Sequence, residues 1–218
     1  MPNFFNLSHD IQDGMITYEG LPGPKIRDHL SREDTRQHYA EGTTFQIGKI
    51  EMVANTGTYI DAPFHRYQEG KDLSQLDLAS VADLDGVLLH ADPATREIST
   101  DLFSGKDLRG KAVLIHTGWD RHWGTKPYFE NHPYLTRESA EYLKLEGAAL
   151  VGIDSLNIDD NTDGMRPAHT ILLGSEIPIV EHLCNLAALP DTGFKFFAVP
   201  APVKGMGSFP VRAFAINE

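Results

Sequence analysis

Apolar and polar positions change period along the chain, and the changes mark its elements. The run T-T-F-Q-I-G-K-I-E-M-V-A (43–54) alternates through Phe45, Ile47 and Met52, which predicts a strand with one buried face. G-V-L-L-H-A (86–91) and G-K-A-V-L-I-H-T-G (110–118) are short, nearly continuous apolar runs. Such runs suit strands buried on both faces, the second more strongly because glycine bounds it at each end. T-R-E-S-A-E-Y-L-K-L-E-G (136–147) predicts a helix, with Thr136 as its cap and Gly147 closing it. A-L-V-G-I-D (149–154) follows as a buried strand, so at least one β-α-β unit is expected. F-K-F-F-A-V-P and F-P-V-R-A-F-A-I supply later strands.

Between these runs the pattern is weaker. M-I-T-Y-E-G-L-P-G-P (15–24) is turn-rich and predicts a surface loop after a short strand near Phe5, the kind of loop that carries binding groups. Residues 26–40 are charged and weakly patterned, an irregular arm or a lid. Residues 73–78 read as a turn or helix start with Ser74 as a possible cap, and I-S-T-D-L (98–102) as a capped helix start. Residues 121–133 predict a loop or short helix beside a cavity. V-E-H-L-C-N-L (180–186) reads as a helix with mixed faces around a half-buried Cys184. The sum is an α/β chain, a single domain over 1–218, with many strands in more than one sheet and no internal repeat.

Composition narrows the function. The net charge of −12 and the absence of a basic tract argue against nucleic acid. The single cysteine excludes an intrachain disulfide. No stretch approaches the ~18 apolar residues that span a membrane. The opening M-P-N-F-F-N-L-S-H-D lacks the pattern of a secretory signal, so a cytoplasmic location is expected.

The chemistry concentrates in N-T-G-T-Y-I-D-A-P-F-H (55–65). Gly57 allows close backbone approach, and Pro63 keeps Ala62 out of helical dihedrals. The segment therefore predicts a strand end passing into an ordered loop, where Asp61 and His65 can converge. His169 borders the apolar T-I-L-L run, and Glu181 follows the apolar I-P-I-V run. A carboxylate there is expensive to bury unless paired or bound. Imidazole with carboxylate suits Zn or Mn. The spacing matches none of the stronger metal motifs, and a lone histidine is more often a structural residue than a ligand. Asp159, Asp160 and Asp163 lack the calcium-loop spacing and read as a solvated loop.

The 55–65 segment resembles the signature H-x-G-T-H-x-D-x-P-x-H of the cyclase family of metal-dependent hydrolases, which includes bacterial kynurenine formamidase and isatin hydrolase. N-L-S-H-D, V-L-I-H-T-G-W-D, G-I-D-S-L-N-I-D-D with H-T-I-L-L, and V-K-G-M-G-S-F-P-V-R-A extend the resemblance along nearly the whole chain. It implies a swivelling β/β/α fold with a mixed sheet and a barrel-like portion, and a homodimer or homotetramer. It also implies a small-molecule substrate. Asp61 matches the metal-binding aspartate, His65 the acid–base histidine, and His169 and Glu181 the later metal-supporting pair. Asn55 and Tyr59 stand where the signature has metal-ligating histidines.

An asparagine carbonyl is a weak ligand for Zn or Mn, and a phenol near pKa ~10 must ionise to bind well. The resemblance therefore implies one divalent ion, Mn or Zn, on Asp61, His169 and Glu181, or none. The leading expectation is a hydrolase of a cyclic amide, formamide or related carbonyl compound, with His65 as acid and base and Asp61 and Tyr59 beside it. Phe64, Trp119, Trp123, Tyr18 and Asn55 are the expected substrate contacts, with ordinary core packing the competing role for the aromatic residues. Two other readings stand beside it. One is a metal-independent cyclase, dehydratase or isomerase using Tyr59, Asp61 and His65. The other is a binding protein without catalysis.

Overall fold

A computed structural model describes residues 1–217 of the chain. Its strands are β1 (Asn3–Asn6), β2 (Lys25–Leu30), β3 (Ile47–Glu51), β4 (Tyr59–Asp61), β5 (Leu84–His90), β6 (Glu97–Ile98), β7 (Ala112–His116), β8 (Tyr134–Leu135), β9 (Leu150–Ile153), β10 (Ile179–Glu181), β11 (Phe194–Phe197), β12 (Ser208–Pro210) and β13 (Phe214–Asn217). The helices are α1 (Arg32–Thr35), α2 (Arg137–Glu146) and α3 (Pro167–Leu173), with short 3₁₀ turns between elements. One nine-stranded mixed sheet runs β1-β13-β11-β5-β7-β9-β10-β4-β12, and it curls into the half-barrel expected of the family fold. Its parallel centre is β5-β7-β9-β10, and the strands outside that centre pair antiparallel. No helix among the described residues is long and apolar enough to cross a membrane.

Strand alternation splits the core in two. Leu88, Leu114, Leu150, Val180 and Ile60 face one side of the sheet, against Leu7, Leu183 and Phe196. Val87, Val113, Val151, Ile153 and Ile179 face the other, where Ala140 and Leu143 of α2 and Ala168 and Leu172 of α3 cover them. The β7-α2-β9 crossover joins parallel strands, as the sequence pattern predicts. Thr136 caps α2 by accepting from Ser139 N, and Gly147 closes it at φ 75°.

Several expectations are corrected. The 43–54 strand has no buried face: β3 is exposed throughout, with Phe45 and Ile47 each about half exposed. Among the described residues it pairs only with β2, so the 26–40 arm begins as the other strand of a separate two-stranded sheet. Charged side chains on both strands hid that pairing in the sequence. The 180–186 segment is not a helix. β10 ends at Glu181, and His182 and Asn185 adopt positive φ (56° and 58°), which breaks any helical run; Cys184 is buried rather than half-buried. Asp77, rather than Ser74, caps the turn at Leu78–Ser80. Asp159 is completely buried, so the acidic loop is solvated only in part.

Candidate metal and active site

Three antiparallel neighbours build one wall. Tyr59 and Asp61 of β4 lie two residues apart and share a face. Glu181 of β10 sits opposite Tyr59, and Ser208 of β12 sits opposite Asp61. This face is the one that α3 covers, and α3 brings His169 onto it. The register alone therefore gathers Tyr59, Asp61, Glu181 and Ser208 before any side chain chooses a rotamer. His65 arrives from the 3₁₀ turn Pro63–His65 after β4. Gly207 presses against it: a Cβ there would lie 2.3 Å from His65 N. Only glycine lets β12 approach that closely.

Asp159 fixes α3 and His169 together. Its carboxylate accepts from Ala168 N (2.6 Å) and His169 N (3.1 Å), capping the helix start. The same carboxylate lies 2.6 Å from His169 Nδ1. This partner holds Nδ1 as an N–H donor and turns Nε2 toward Asp61 Oδ2 (3.5 Å) and Glu181 Oε1 (3.8 Å). Glu181 Oε2 accepts from the Tyr59 hydroxyl and from Asn157 Nδ2 (3.3 Å), and Oε1 from Ile158 N (2.7 Å). Tyr18 donates to Leu156 O (2.7 Å) and packs its oxygen 3.0 Å from that of Tyr59. Ser208 donates to Asp61 Oδ1, and its oxygen lies 2.8 Å from His65 Nδ1. One hydroxyl has one proton, so His65 Nδ1–H donates to Ser208 and His65 Nε2 keeps a free lone pair.

The electrostatics ask for a cation. Asp61, Asp159 and Glu181 are all fully buried around one imidazole. Burial works against a charged His169, but Asp159, Asp61 and Glu181 outweigh it and lift the ring to about 10. Burial pushes Glu181 upward; His169 opposes that and Asp61 adds to it. Burial and Glu181 hold Tyr59 and Tyr18 well above the ordinary phenol range, so both stay protonated donors. Asp61 Oδ2 is buried with no hydrogen-bond partner. A divalent ion that displaced the Nε2 proton would fit between this orphaned carboxylate oxygen and the imidazole nitrogen.

Asp61, His65 and His169 each offer one ligand atom, all within 4.8 Å of one another. That trio differs from the expected set in one member. Glu181 nonetheless borders it through His169, and its Oε1 retains a second lone pair.

A cavity of about 200 Å³ opens onto the group, lined by Tyr18, Asn55, Tyr59, His65, Arg166 and His169 among others. Of the expected substrate contacts, Tyr18 and Asn55 line it. Trp123 lines an adjoining groove of about 790 Å³, which meets the cavity at Leu21. Phe64 and Trp119 line neither; the Trp119 indole N–H is spent on Tyr128 O (3.0 Å). Sequence reasoning missed Asp159, Asn157, Ser208 and Arg166. Asn157 and Asp159 lie in S-L-N-I-D-D and Ser208 in G-M-G-S-F-P, segments that carry the family resemblance without revealing which atoms face the site.

Comparison with known proteins agrees with this fold. The Cyclase family model matches residues 5–160. Kynurenine formamidase from Geobacillus thermodenitrificans is 36% identical over 181 residues, covering 82% of this chain and 84% of that protein. Kynurenine formamidase from Bacillus cytotoxicus is 28% identical over 176 residues, covering 77% and 78%. The solved isatin hydrolase A from Ralstonia solanacearum superposes with a TM-score of 0.83 at 21% identity, covering 100% of this chain and 92% of that one. The chain belongs to the cyclase family.

Proposed function

We propose that this chain is a cytoplasmic, metal-dependent hydrolase of a formamide, cyclic amide or related carbonyl compound, cleaving a C–N bond outside peptides. The observation that carries the reading is the orphaned Asp61 Oδ2, buried 3.5 Å from His169 Nε2. The 36% identity to a kynurenine formamidase supports the substrate class.

Asp61, His169 and Glu181 would hold the ion, Mn or Zn, leaving His65 for proton transfer. A bound divalent ion supplies charge stabilisation at a carbonyl oxygen and acidifies water. His65 Nε2, with its lone pair free, takes a proton from water and returns it to the leaving nitrogen. Ser208 and Asp61 hold that tautomer through Nδ1. Tyr59, fixed as a neutral phenol, holds Glu181 in place rather than acting as an anionic ligand. Tyr18 and Asn55 face the substrate, and Trp123 extends the apolar surface into the groove.

The test is hydrolysis of N-formyl anilines and cyclic amides by protein purified without chelator. Activity that EDTA abolishes and Mn or Zn restores supports the reading. Activity that survives exhaustive chelation contradicts the metal role and favours Tyr59, Asp61 and His65 as a metal-free acid–base set.

A homodimer or homotetramer is part of the same reading. On the β2–β3 hairpin Ile26 pairs with Ile50 on one face, both exposed, while Lys25, Arg27, Lys49 and Glu51 occupy the other. A two-stranded hairpin is marginal in water unless its apolar side is covered. A second copy supplies that cover. Light scattering of the wild type should give a dimer or larger, and Ile26→Asp with Ile50→Asp a monomer; a monomeric wild type contradicts it.

A further inference from the structure

Arg166 is the one lysine or arginine that lines the cavity among the described residues. No aspartate or glutamate lines the cavity, so the guanidinium is the one fixed charge at its wall, in a chain whose net charge is −12. The nearby acids are already engaged. Asp160 lies 3.7 Å from Arg96, and Asp159 belongs to His169. Arg166 makes no ion pair among the described residues. Its Nη1 donates instead to the neutral amide oxygen of Asn161 (2.9 Å), which steadies the guanidinium without neutralising it.

The backbone pays a cost to place it there. Arg166 sits at φ 48°, ψ 59°, immediately before Pro167. The left-handed region is unfavourable for a residue with a Cβ, and a following proline disfavours compact dihedrals further. Strain at a cavity-lining residue points to a placement that serves the site. A half-buried, unpaired guanidinium with free N–H donors matches a carboxylate in shape and charge.

We propose that Arg166 binds a carboxylate of the substrate, so that the enzyme acts on amides that carry an acidic group close to the scissile carbonyl. This rests on the hydrolase reading above and adds the substrate's charge to it. Paired probes separate the two claims: N-formylanthranilate, which bears the carboxylate, and formanilide, which lacks it.

The expected result is a higher kcat/KM for N-formylanthranilate than for formanilide in the wild type. Arg166→Met should lower it for the acid by about 10- to 100-fold more than for the neutral probe, mainly through KM. Arg166→Lys should recover part of the difference. Equal losses on both probes, or a wild type without preference for the acid, would overturn the proposal. If neither probe is hydrolysed the hydrolase reading is in question, and binding decides the matter of Arg166. Chelated wild-type protein should then bind benzoate more tightly than benzyl alcohol and lose that preference in Arg166→Met. Equal binding of both, or a preference that survives the substitution, sinks it.

Discussion

Asp159 Oδ2 lies 2.6 Å from His169 Nδ1, with both side chains buried. The aspartate thus sets which ring nitrogen faces Asp61 without itself touching the cavity. Asp159→Asn removes the charge that favours an Nδ1–H donor and the correct ring orientation. Affinity for Mn or Zn should fall by about 10- to 100-fold, measured by competition with a metallochromic chelator. An unchanged affinity would mean that Asp159 serves only to cap α3.

Ser208 links Asp61 to His65 through a single hydroxyl. Ser208→Ala frees His65 to rotate and to exchange tautomers. A fall in kcat of about tenfold is expected, a fraction of the roughly 10²- to 10⁴-fold that a positioned general base supplies, with KM little altered and partial recovery in Ser208→Thr. Steady-state kinetics on a formanilide substrate separates this from a fold defect, which would lower the active fraction of both variants.

Tyr59 donates to Glu181 inside a fully buried pair. Tyr59→Phe preserves the ring and deletes that bond. Stability should drop by about 1–3 kcal/mol, the cost of a buried acceptor left short of a partner, read by urea unfolding of metal-free protein. No change would show that Tyr18, Asn157 and Ile158 together satisfy Glu181.

These sites were legible to different degrees. The strands at 86–91, 110–118 and 149–154 and the helix at 136–147 announce themselves because burial on fixed faces forces their apolar periods. The β2–β3 hairpin does not, since an exposed hairpin needs no buried stripe. Asp61, His65, His169 and Glu181 were readable from the family resemblance. Ser208 was not, because it joins the site through strand register across 147 residues of chain. Asp159 looked like one of several surface acids, and only the fold distinguishes a capping carboxylate from a solvated one. Arg166 owes its position to a backbone conformation that sequence pattern does not encode.

His9 stacks on Trp123 with centroids 3.9 Å apart, and burial lowers it to about 4 against the pull of Asp120 and Asp10. Fully buried His182 moves the same way, chiefly through desolvation. The folded chain refuses protons that the unfolded chain accepts near the ordinary value of 6.5. Their contribution to stability is therefore complete above that pH and is lost as the pH falls toward about 4. Thermal midpoints across this window should decline with acidification. His9→Phe, which keeps the stack and removes the titration, should flatten part of that decline. A slope identical to the wild type would contradict the assignment.

Metal-dependent hydrolysis requires an ion at the Asp61–His169 pair. The direct measurement is metal content by elemental analysis, on protein purified without chelator and without a metal-affinity step, beside Asp61→Ala prepared identically. About one Mn or Zn per chain in the wild type, absent from the variant, is the predicted result, in keeping with one set of ligands retained and the other replaced by Asn55 and Tyr59. Near-zero metal in both proteins, even after dialysis against Mn and Zn, would contradict it.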